Sequence, residues 1–211
     1  MDLRDVFSKA RVVPVLTIED PDVAIDLARA LIDGGLNVIE VTLRTSAALG
    51  AVDMLASEFP DAVIGVGTVT RPNELRAARE AGARFAVSPG LVEELCSAAT
   101  TAGISYLPGV QTASEIMNAR RFGFTTLKFF PVRPAGGVAA LKAFAPVFPD
   151  VRFCPTGGVT ADDFMDYLLL ENVIAIGGAF MVPADLLKAR DWRAIAALAR
   201  QIATGSRQAV V

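Results

Sequence analysis

Short runs of β-branched and other apolar residues alternate along the chain with longer stretches whose apolar positions recur every three to four residues. The short runs predict buried strands, and the longer stretches predict amphipathic helices. Strands are predicted over Val12–Leu16, Val38–Leu43, Ala62–Val66, Phe85–Val87, Ile104–Leu107, Thr125–Phe130, Val151–Cys154 and Val173–Ile176.

One helix is predicted after each strand. These helices cover Pro21–Ile32, Ala47–Phe59, Pro72–Ala81, Glu93–Thr101, Ala113–Phe122, Gly137–Phe144, Asp162–Leu169 and Arg193–Ile202. Glycine and proline mark several boundaries, because Gly34 and Gly35 follow the first helix and Pro72 begins the third. The weakly patterned tail, Gln208–Val211, is expected to fray.

Strict alternation of strand and helix predicts a parallel sheet with right-handed crossovers. Eight units favour closure into a (β/α)8 TIM barrel, an α/β fold that typically needs about 200–250 residues. The alternative is an open, doubly wound sheet, but no GxGxxG sequence begins the first helix. No linker or shift in composition divides the chain, so we expect a single domain over residues 1–211.

Composition narrows the chemistry. Apolar residues make up 53% of the chain and charged residues 20%, which is typical of a folded protein. The net charge of −3 argues against nucleic acid as the main partner. The absence of histidine excludes Ser-His-Asp and Cys-His nucleophiles and any metal site that requires imidazole. Acid–base work then falls to Glu, Asp, Lys, Tyr, Cys or water, and a metal held by carboxylates alone stays open.

The amino terminus and the cysteines point to the cytoplasm. Met1–Asp5 has no basic segment followed by an apolar run, so no signal peptide is expected. Glycine, proline or charge interrupts every apolar stretch before about 18 residues, so no membrane span is expected. Cys96 and Cys154 are expected to be free thiols, with Cys154 a small core residue.

Two predicted strands carry buried polar residues. Glu40, Thr42 and Arg44 share one face of the second strand, since side chains alternate across a strand. Lys128 lies within the sixth strand and should point inward. Burial favours the neutral amine, which is a nucleophile toward a ketone. An internal ion pair between Lys128 and Glu40 is the purely structural alternative.

Glycine pairs follow the last two strands, at Gly157-Gly158 and at Gly177-Gly178. In a barrel of this kind the loops after strands seven and eight commonly bind phosphate through backbone N–H groups. Two ordinary tight turns are the alternative explanation. Thr68 offers a hydroxyl group after the third strand.

Together these strand ends resemble the bacterial 2-keto-3-deoxy-6-phosphogluconate (KDPG) aldolases of the Entner–Doudoroff pathway. The resemblance spans nearly the whole chain, in order and with compatible spacing. The matching stretches are Val13–Val15, Ile39–Thr45, Gly65–Val69, Val87–Leu91, Leu107–Val110, Leu127–Pro131, Arg152–Val159 and Ile176–Gly178.

The resemblance implies a role for each matching residue. Lys128 matches the family's Schiff-base lysine, and Glu40 matches its general acid and base. Residues that match the surroundings of the pyruvate carboxylate, the hydroxyl groups and the phosphate are Arg44, Thr68, Pro89, Thr156, Gly157, Gly158, Gly177 and Gly178. The resemblance also implies a homotrimer that uses no metal and no cofactor, with a small 2-keto acid as its partner.

Two positions depart from the family pattern. Ala179 stands where close relatives commonly have a serine that contacts the phosphate, and Arg133 stands near positions where relatives often have small and acidic residues. Three alternatives therefore remain at this stage. They are the same chemistry on another 2-keto acid (the galactonate-derived epimer, 4-hydroxy-2-oxoglutarate or an unphosphorylated sugar acid), a phosphate-binding isomerase or synthase, and a binding protein without catalysis.

Overall fold

A computed structural model describes residues 1–208. Of the tail predicted to fray, Gln208 ends a helix and residues 209–211 lie outside the described residues. Strands and helices alternate along the described chain. The strands are β1 (Val12–Leu16), β2 (Val38–Thr42), β3 (Val63–Gly67), β4 (Phe85–Val87), β5 (Ser105–Leu107), β6 (Gly109–Val110), β7 (Thr126–Phe129), β8 (Arg152–Pro155) and β9 (Ile176–Gly178). The helices are α1 (Leu3–Ala10), α2 (Ala24–Asp33), α3 (Ala48–Glu58), α4 (Pro72–Glu80), α5 (Glu93–Ala102), α6 (Ala113–Arg121), α7 (Gly137–Phe144), α8 (Phe164–Leu168), α9 (Ala184–Lys188) and α10 (Trp192–Gln208), with a 3₁₀ turn at Pro21–Val23 before α2.

All strand pairs are parallel, as the alternation predicts. One sheet has the order β5-β4-β3-β2-β1-β9, and a second has the order β6-β7-β8. Only Pro108 separates β5 from β6, and parallel bridges join Phe153 to Val173 and Thr156 to Gly177 between the β8 and β9 segments. The two sheets therefore meet along two edges, and the carboxyl ends of their strands face the same side.

Most strand boundaries lie within one residue of the predicted ones, and larger differences occur at two places. The fifth predicted strand ends before Pro108, which has no N–H group for the ladder, and the short strand β6 that follows Pro108 was not predicted. The last strand begins at Ile176 rather than Val173, and Gly177 and Gly178 belong to it because they pair with Val13 and Pro14 of β1. Gly177 and Gly178, which were predicted to form a turn after the last strand, therefore belong to that strand.

Helix α1 was not predicted, although its sequence has the apolar spacing of a helix. Asp2 caps it by accepting a hydrogen bond from the N–H of Arg4. Leu3 and Phe7 of α1 are buried in a cluster with residues of the β-strands. The Phe7 ring packs edge-to-face on the Phe85 ring, with 5.5 Å between the ring centres. Because Met1 and Arg4 contact Ser105 and Asp150, at or just before the starts of β5 and β8, α1 covers the amino ends of the strands.

Within residues 1–208, no helix is both long enough and apolar enough to cross a bilayer. The two cysteines are free and buried, as predicted. The larger part of the core lies between the strands and the surrounding helices, and includes the fully buried Leu31, Leu55, Leu75 and Phe153.

Candidate active site

Lys128 and Glu40 meet in the interior, although 88 residues separate them in sequence. The Lys128 Nζ donates to Glu40 Oε1 at 3.3 Å, and the two side chains are 7% and 5% exposed. Lys128 comes from β7 and Glu40 from β2, which lie in different sheets, so the side chains reach toward each other across the interior. The inward direction that alternation predicts for both residues is confirmed.

Removing both charges from water costs several kcal/mol per ion, and the mutual attraction offsets that cost only when geometry is favourable. The pair has one hydrogen bond, and the Lys128 Nζ also lies 5.1 Å from the centre of the Phe130 ring. An amine and a carboxylate at this distance can exchange a proton directly, which leaves a neutral nucleophile beside an acid. The geometry therefore permits chemistry as well as an ion pair.

Gly67 provides the space that Glu40 occupies. The two residues lie on neighbouring parallel strands, where Gly67 pairs with Thr42 and Gly65 pairs with Glu40. A Cβ atom at residue 67 would overlap the Glu40 carboxylate. The missing side chain at Gly67 therefore determines where the carboxylate can lie, and a residue without a polar group gives no sign of this role in the sequence.

Arg44 and Thr68 form a second polar contact at the carboxyl ends of β2 and β3. Arg44 Nε donates to Thr68 Oγ1 at 3.2 Å. Thr68 has a φ of +61°, a conformation that non-glycine residues rarely adopt and that often occurs at functional sites. The Arg44 side chain is exposed, so its remaining N–H groups are accessible to an anion.

Thr42 does not join this group. Its hydroxyl donates to the backbone oxygen of Leu16 and lies 2.9 Å from the hydroxyl of Thr17, both of β1 or just after it. Sequence alternation places Thr42 on the Glu40 face, and the structure adds that its hydroxyl links β2 to β1.

Thr156 follows β8 and the Pro89 backbone lies beside β6, and these are the two strands that flank the lysine strand β7. Thr156 is buried, and a Cβ atom at Gly177 would lie 2.5 Å from its Oγ1. Pro89 contacts Gly109, and Gly109 pairs with Lys128 in the β6–β7 ladder. Both predicted residues therefore lie next to a strand that pairs with β7, the strand that carries Lys128.

Cys154 is directly beside Lys128 in the β7–β8 ladder. Burial, followed by the nearby Glu40 carboxylate, raises the pKa of its thiol to about 12. A thiol of this kind stays protonated at neutral pH and is a poor nucleophile. The prediction that Cys154 is a core residue agrees with this environment.

The turn after β8 presents backbone N–H groups. Gly157 and Gly158 have φ values of +92° and +99°, which few other residues adopt. Within the described residues, the N–H groups of Gly158 and Val159 donate to no protein atom, whereas the bridge between Thr156 and Gly177 directs the Gly157 N–H toward the Gly177 oxygen. Consecutive free N–H groups of this kind form an anion-binding nest.

The phenyl ring of Phe130 connects this turn to the lysine. A Cβ atom at Gly157 would meet the ring at 3.0 Å, and the ring centre lies 5.1 Å from Lys128 Nζ. Phe130 was not among the predicted site residues, although the alternation along β7 places it on the Lys128 face. The anion nest and the amine are therefore about one aromatic ring apart.

Residues 1–208 contain no group of three or more His, Cys, Asp or Glu side chains arranged to hold a metal ion.

The second glycine pair, Gly177 and Gly178, lies beside Thr156 and the Phe180 ring, respectively. Ala179, which follows them, is exposed.

Comparisons with known proteins point in one direction. A family model described as KDPG and KHG aldolase matches residues 3–198. The 2-dehydro-3-deoxy-phosphogluconate aldolase of Pseudoalteromonas atlantica is 48% identical over 203 residues, which are 96% of this chain and 94% of that protein. The KHG/KDPG aldolase of Escherichia coli is 46% identical over 202 residues, with 96% and 95% of the two chains covered.

A solved structure is also similar. The KDPG aldolase of Legionella pneumophila, with pyruvate captured at low pH as a covalent carbinolamine intermediate, superimposes with a TM-score of 0.93 at 42% identity. The match covers 95% of this chain and 98% of that one.

Proposed function

The chain belongs to the KDPG and KHG aldolase family, and from that premise we propose how its buried lysine and carboxylate break a carbon–carbon bond. The enzyme is a class I aldolase, a lyase that cleaves 2-keto-3-deoxy-6-phosphogluconate reversibly into pyruvate and glyceraldehyde 3-phosphate. The observation that carries the residue assignment is the contact of 3.3 Å between Lys128 Nζ and Glu40 Oε1 in the interior.

Lys128 is the nucleophile in this proposal. Glu40 removes a proton from the ammonium group, and the free amine attacks the C2 ketone of the sugar acid. The carbinolamine oxygen takes a proton from Glu40 and leaves as water, which gives an iminium ion between Lys128 and C2. The iminium group then draws in the electron pair of the C3–C4 bond.

Glu40 serves again during cleavage. Its carboxylate, directly or through one water, takes the proton from the C4 hydroxyl group as the C3–C4 bond breaks and the aldehyde leaves. Glu40 then gives that proton to C3 of the remaining enamine, which becomes an iminium again. Water hydrolyses this iminium to pyruvate and free Lys128. Each proton that Glu40 accepts is returned, so one carboxylate is sufficient.

The other site residues bind the substrate. Arg44, with Thr68 beside it, binds the carboxylate and so holds the ketone over Lys128. Thr156 and Pro89 contact the middle of the substrate, and the N–H groups of the Gly157-Gly158 turn bind the phosphate together with the Gly177-Gly178 segment. Because the iminium on Lys128 supplies the electron sink, the proposed reaction uses no metal and no cofactor.

The assembly is proposed as well. Counting β5 and β6 as one strand, we propose that the two sheets close into a single-domain (β/α)8 barrel. The bridges between the β8 and β9 segments and the continuity across Pro108 support closure. The likeness to the family supports a homotrimer in the cytoplasm.

A substrate panel tests this proposal. Pyruvate release is measured with the phosphorylated gluconate and galactonate derivatives, with 4-hydroxy-2-oxoglutarate and with the unphosphorylated gluconate derivative. The phosphorylated gluconate derivative should give the highest kcat/KM. Glu40→Gln should lower kcat by about 10²–10⁴-fold, the usual contribution of a general acid or base.

Lys142→Ala is the matched control, because Lys142 is exposed on α7. It should leave kcat and KM unchanged. A higher kcat/KM on the unphosphorylated acid would contradict the substrate assignment, and full activity of Glu40→Gln would contradict the role of Glu40.

4-Hydroxy-2-oxoglutarate is a second candidate substrate. The relative in Escherichia coli is named for both KHG and KDPG activity. The pyruvate half of the two substrates is the same, so the proposed roles of Lys128, Glu40 and Arg44 apply to both. They differ at the distal anion, which is a carboxylate in one and a phosphate in the other.

A further inference from the structure

The turn formed by Thr156, Gly157 and Gly158 has its carbonyl groups held from one side. The N–H of Val132 donates to the Thr156 oxygen at 2.8 Å, and the N–H of Arg133 donates to the Gly157 oxygen at 3.1 Å. The third carbonyl, that of Gly158, accepts from Arg133 Nε at 2.9 Å.

The direction of the free N–H groups follows from these contacts. In a trans peptide the C=O of one residue and the N–H of the next point in opposite directions. Holding three successive carbonyls toward the 132–133 segment therefore turns the N–H groups of Gly157, Gly158 and Val159 away from it. The Gly157 N–H faces the Gly177 oxygen across the bridge between Thr156 and Gly177, and those of Gly158 and Val159 donate to no atom within residues 1–208.

Two of the three carbonyls are held by backbone atoms, but the third depends on a side chain. Arg133 packs directly on the turn, since a Cβ atom at Gly158 would lie 2.7 Å from the Arg133 Cβ. The other end of the guanidinium group donates to Asp163 Oδ2 at 2.6 Å. Asp163 Oδ1 in turn accepts from the N–H and the hydroxyl of Thr160, which ends the same loop.

From this geometry we propose that Arg133 and Asp163 form a clamp that orients the Val159 N–H and thereby sets the preference for acceptors with a distal phosphate. Arg133 is a positioning residue here, and the clamp rests on the proposed aldolase function. Without the guanidinium group, the Gly158–Val159 peptide can rotate and the Val159 N–H is lost as a donor of the nest.

The test runs the reaction in the direction of synthesis. Pyruvate is combined either with D-glyceraldehyde 3-phosphate or with D-glyceraldehyde, and kcat/KM is measured for each aldehyde. The readout is the ratio of the two constants, since general damage to the fold lowers both together. Arg133→Gln should lower the ratio about tenfold, which is the size expected for one hydrogen bond to a charged group.

Two further variants sharpen the test. Arg133→Lys should restore part of the ratio, because an ammonium group can reach the Gly158 oxygen or Asp163 but lacks the planar fork that binds both. Arg120→Gln is the matched control, since Arg120 forms an exposed ion pair with Asp150 away from the turn. Its ratio should equal that of the wild type.

An unchanged ratio in Arg133→Gln, or an equal fall in both constants, overturns the clamp. If the wild type condenses pyruvate with neither aldehyde, the failure is a different one. That result overturns the proposed function itself and the clamp with it.

Discussion

The position of the Glu40 carboxylate depends on a residue that has no side chain. Gly67 lies on the strand beside Glu40, and any Cβ atom there would overlap the carboxylate. Among residues 1–208, Lys128 is the hydrogen-bond partner of the Glu40 carboxylate, at 3.3 Å, so a small displacement separates the acid from the amine. Misplacement by about 1 Å can lower a rate about 100-fold.

Gly67→Ala is therefore expected to lower kcat for pyruvate release by about 10–100-fold through displacement of Glu40. Steady-state kinetics on the phosphorylated gluconate derivative measures the effect, and circular dichroism checks that the variant is folded. Gly50→Ala serves as the control, because a Cβ atom at this helical glycine would meet nothing within 4 Å. Wild-type kcat in a folded Gly67→Ala variant would show that Glu40 needs no such space.

Residues that act through their own side chains could be predicted from the sequence. Lys128 and Glu40 are polar residues within apolar strands, and alternation alone indicates that they point inward. Gly67 could not be found in this way, and Arg133 is marked in the sequence only as a departure from the family pattern, without its contacts. Their effects depend on atoms of a neighbouring strand or turn, and those neighbours are known only after the chain is folded.

At the scale of elements, α1 closes the amino ends of the strands opposite the site. Phe7 is 1% exposed and forms an edge-to-face pair with Phe85, whose ring also fills the space above Gly65 of β3. The helix therefore supports the strand that carries Gly67 from beneath.

Phe7→Ala should destabilise the fold by about 3–5 kcal/mol, because it leaves a cavity in a fully buried apolar cluster. Urea unfolding followed by circular dichroism gives the free energy of unfolding. Lys9→Ala is the control from the same helix, since the exposed Lys9–Asp5 pair should contribute less than about 1 kcal/mol. Equal stabilities for the two variants would mean that α1 adds nothing to the core.

Most strands and helices could be predicted because the spacing of apolar residues in their sequences matches the spacing of the residues that are buried. The exceptions have local causes. Helices α1 and α9 are short, with eight and five residues. Pro108 interrupts one strand, and Gly177 and Gly178 resemble a turn in sequence but pair with β1. A pattern within one segment contains no information about pairing with another.

For the whole molecule, the parallel arrangement brings distant strand ends to one side. Glu40 of β2 and Lys128 of β7 meet, and the turn after β8 lies next to the lysine through Phe130. The three parts of the proposed site are a carboxylate-binding arginine, a nucleophile with its acid, and an anion nest. In the proposed reaction they bind the carboxylate, the ketone and the phosphate of a phosphorylated 2-keto acid, respectively.

The central claim is that Lys128 forms a Schiff base with pyruvate, and borohydride reduction tests it most directly. The chain has four lysines, namely Lys9, Lys128, Lys142 and Lys188, so the modified residue can be identified by peptide mass mapping. Incubation with pyruvate and borohydride should add one N-carboxyethyl group, on Lys128, and Lys128→Ala should gain none. An unchanged mass of the wild-type protein, or an adduct on one of the other three lysines, would contradict the account.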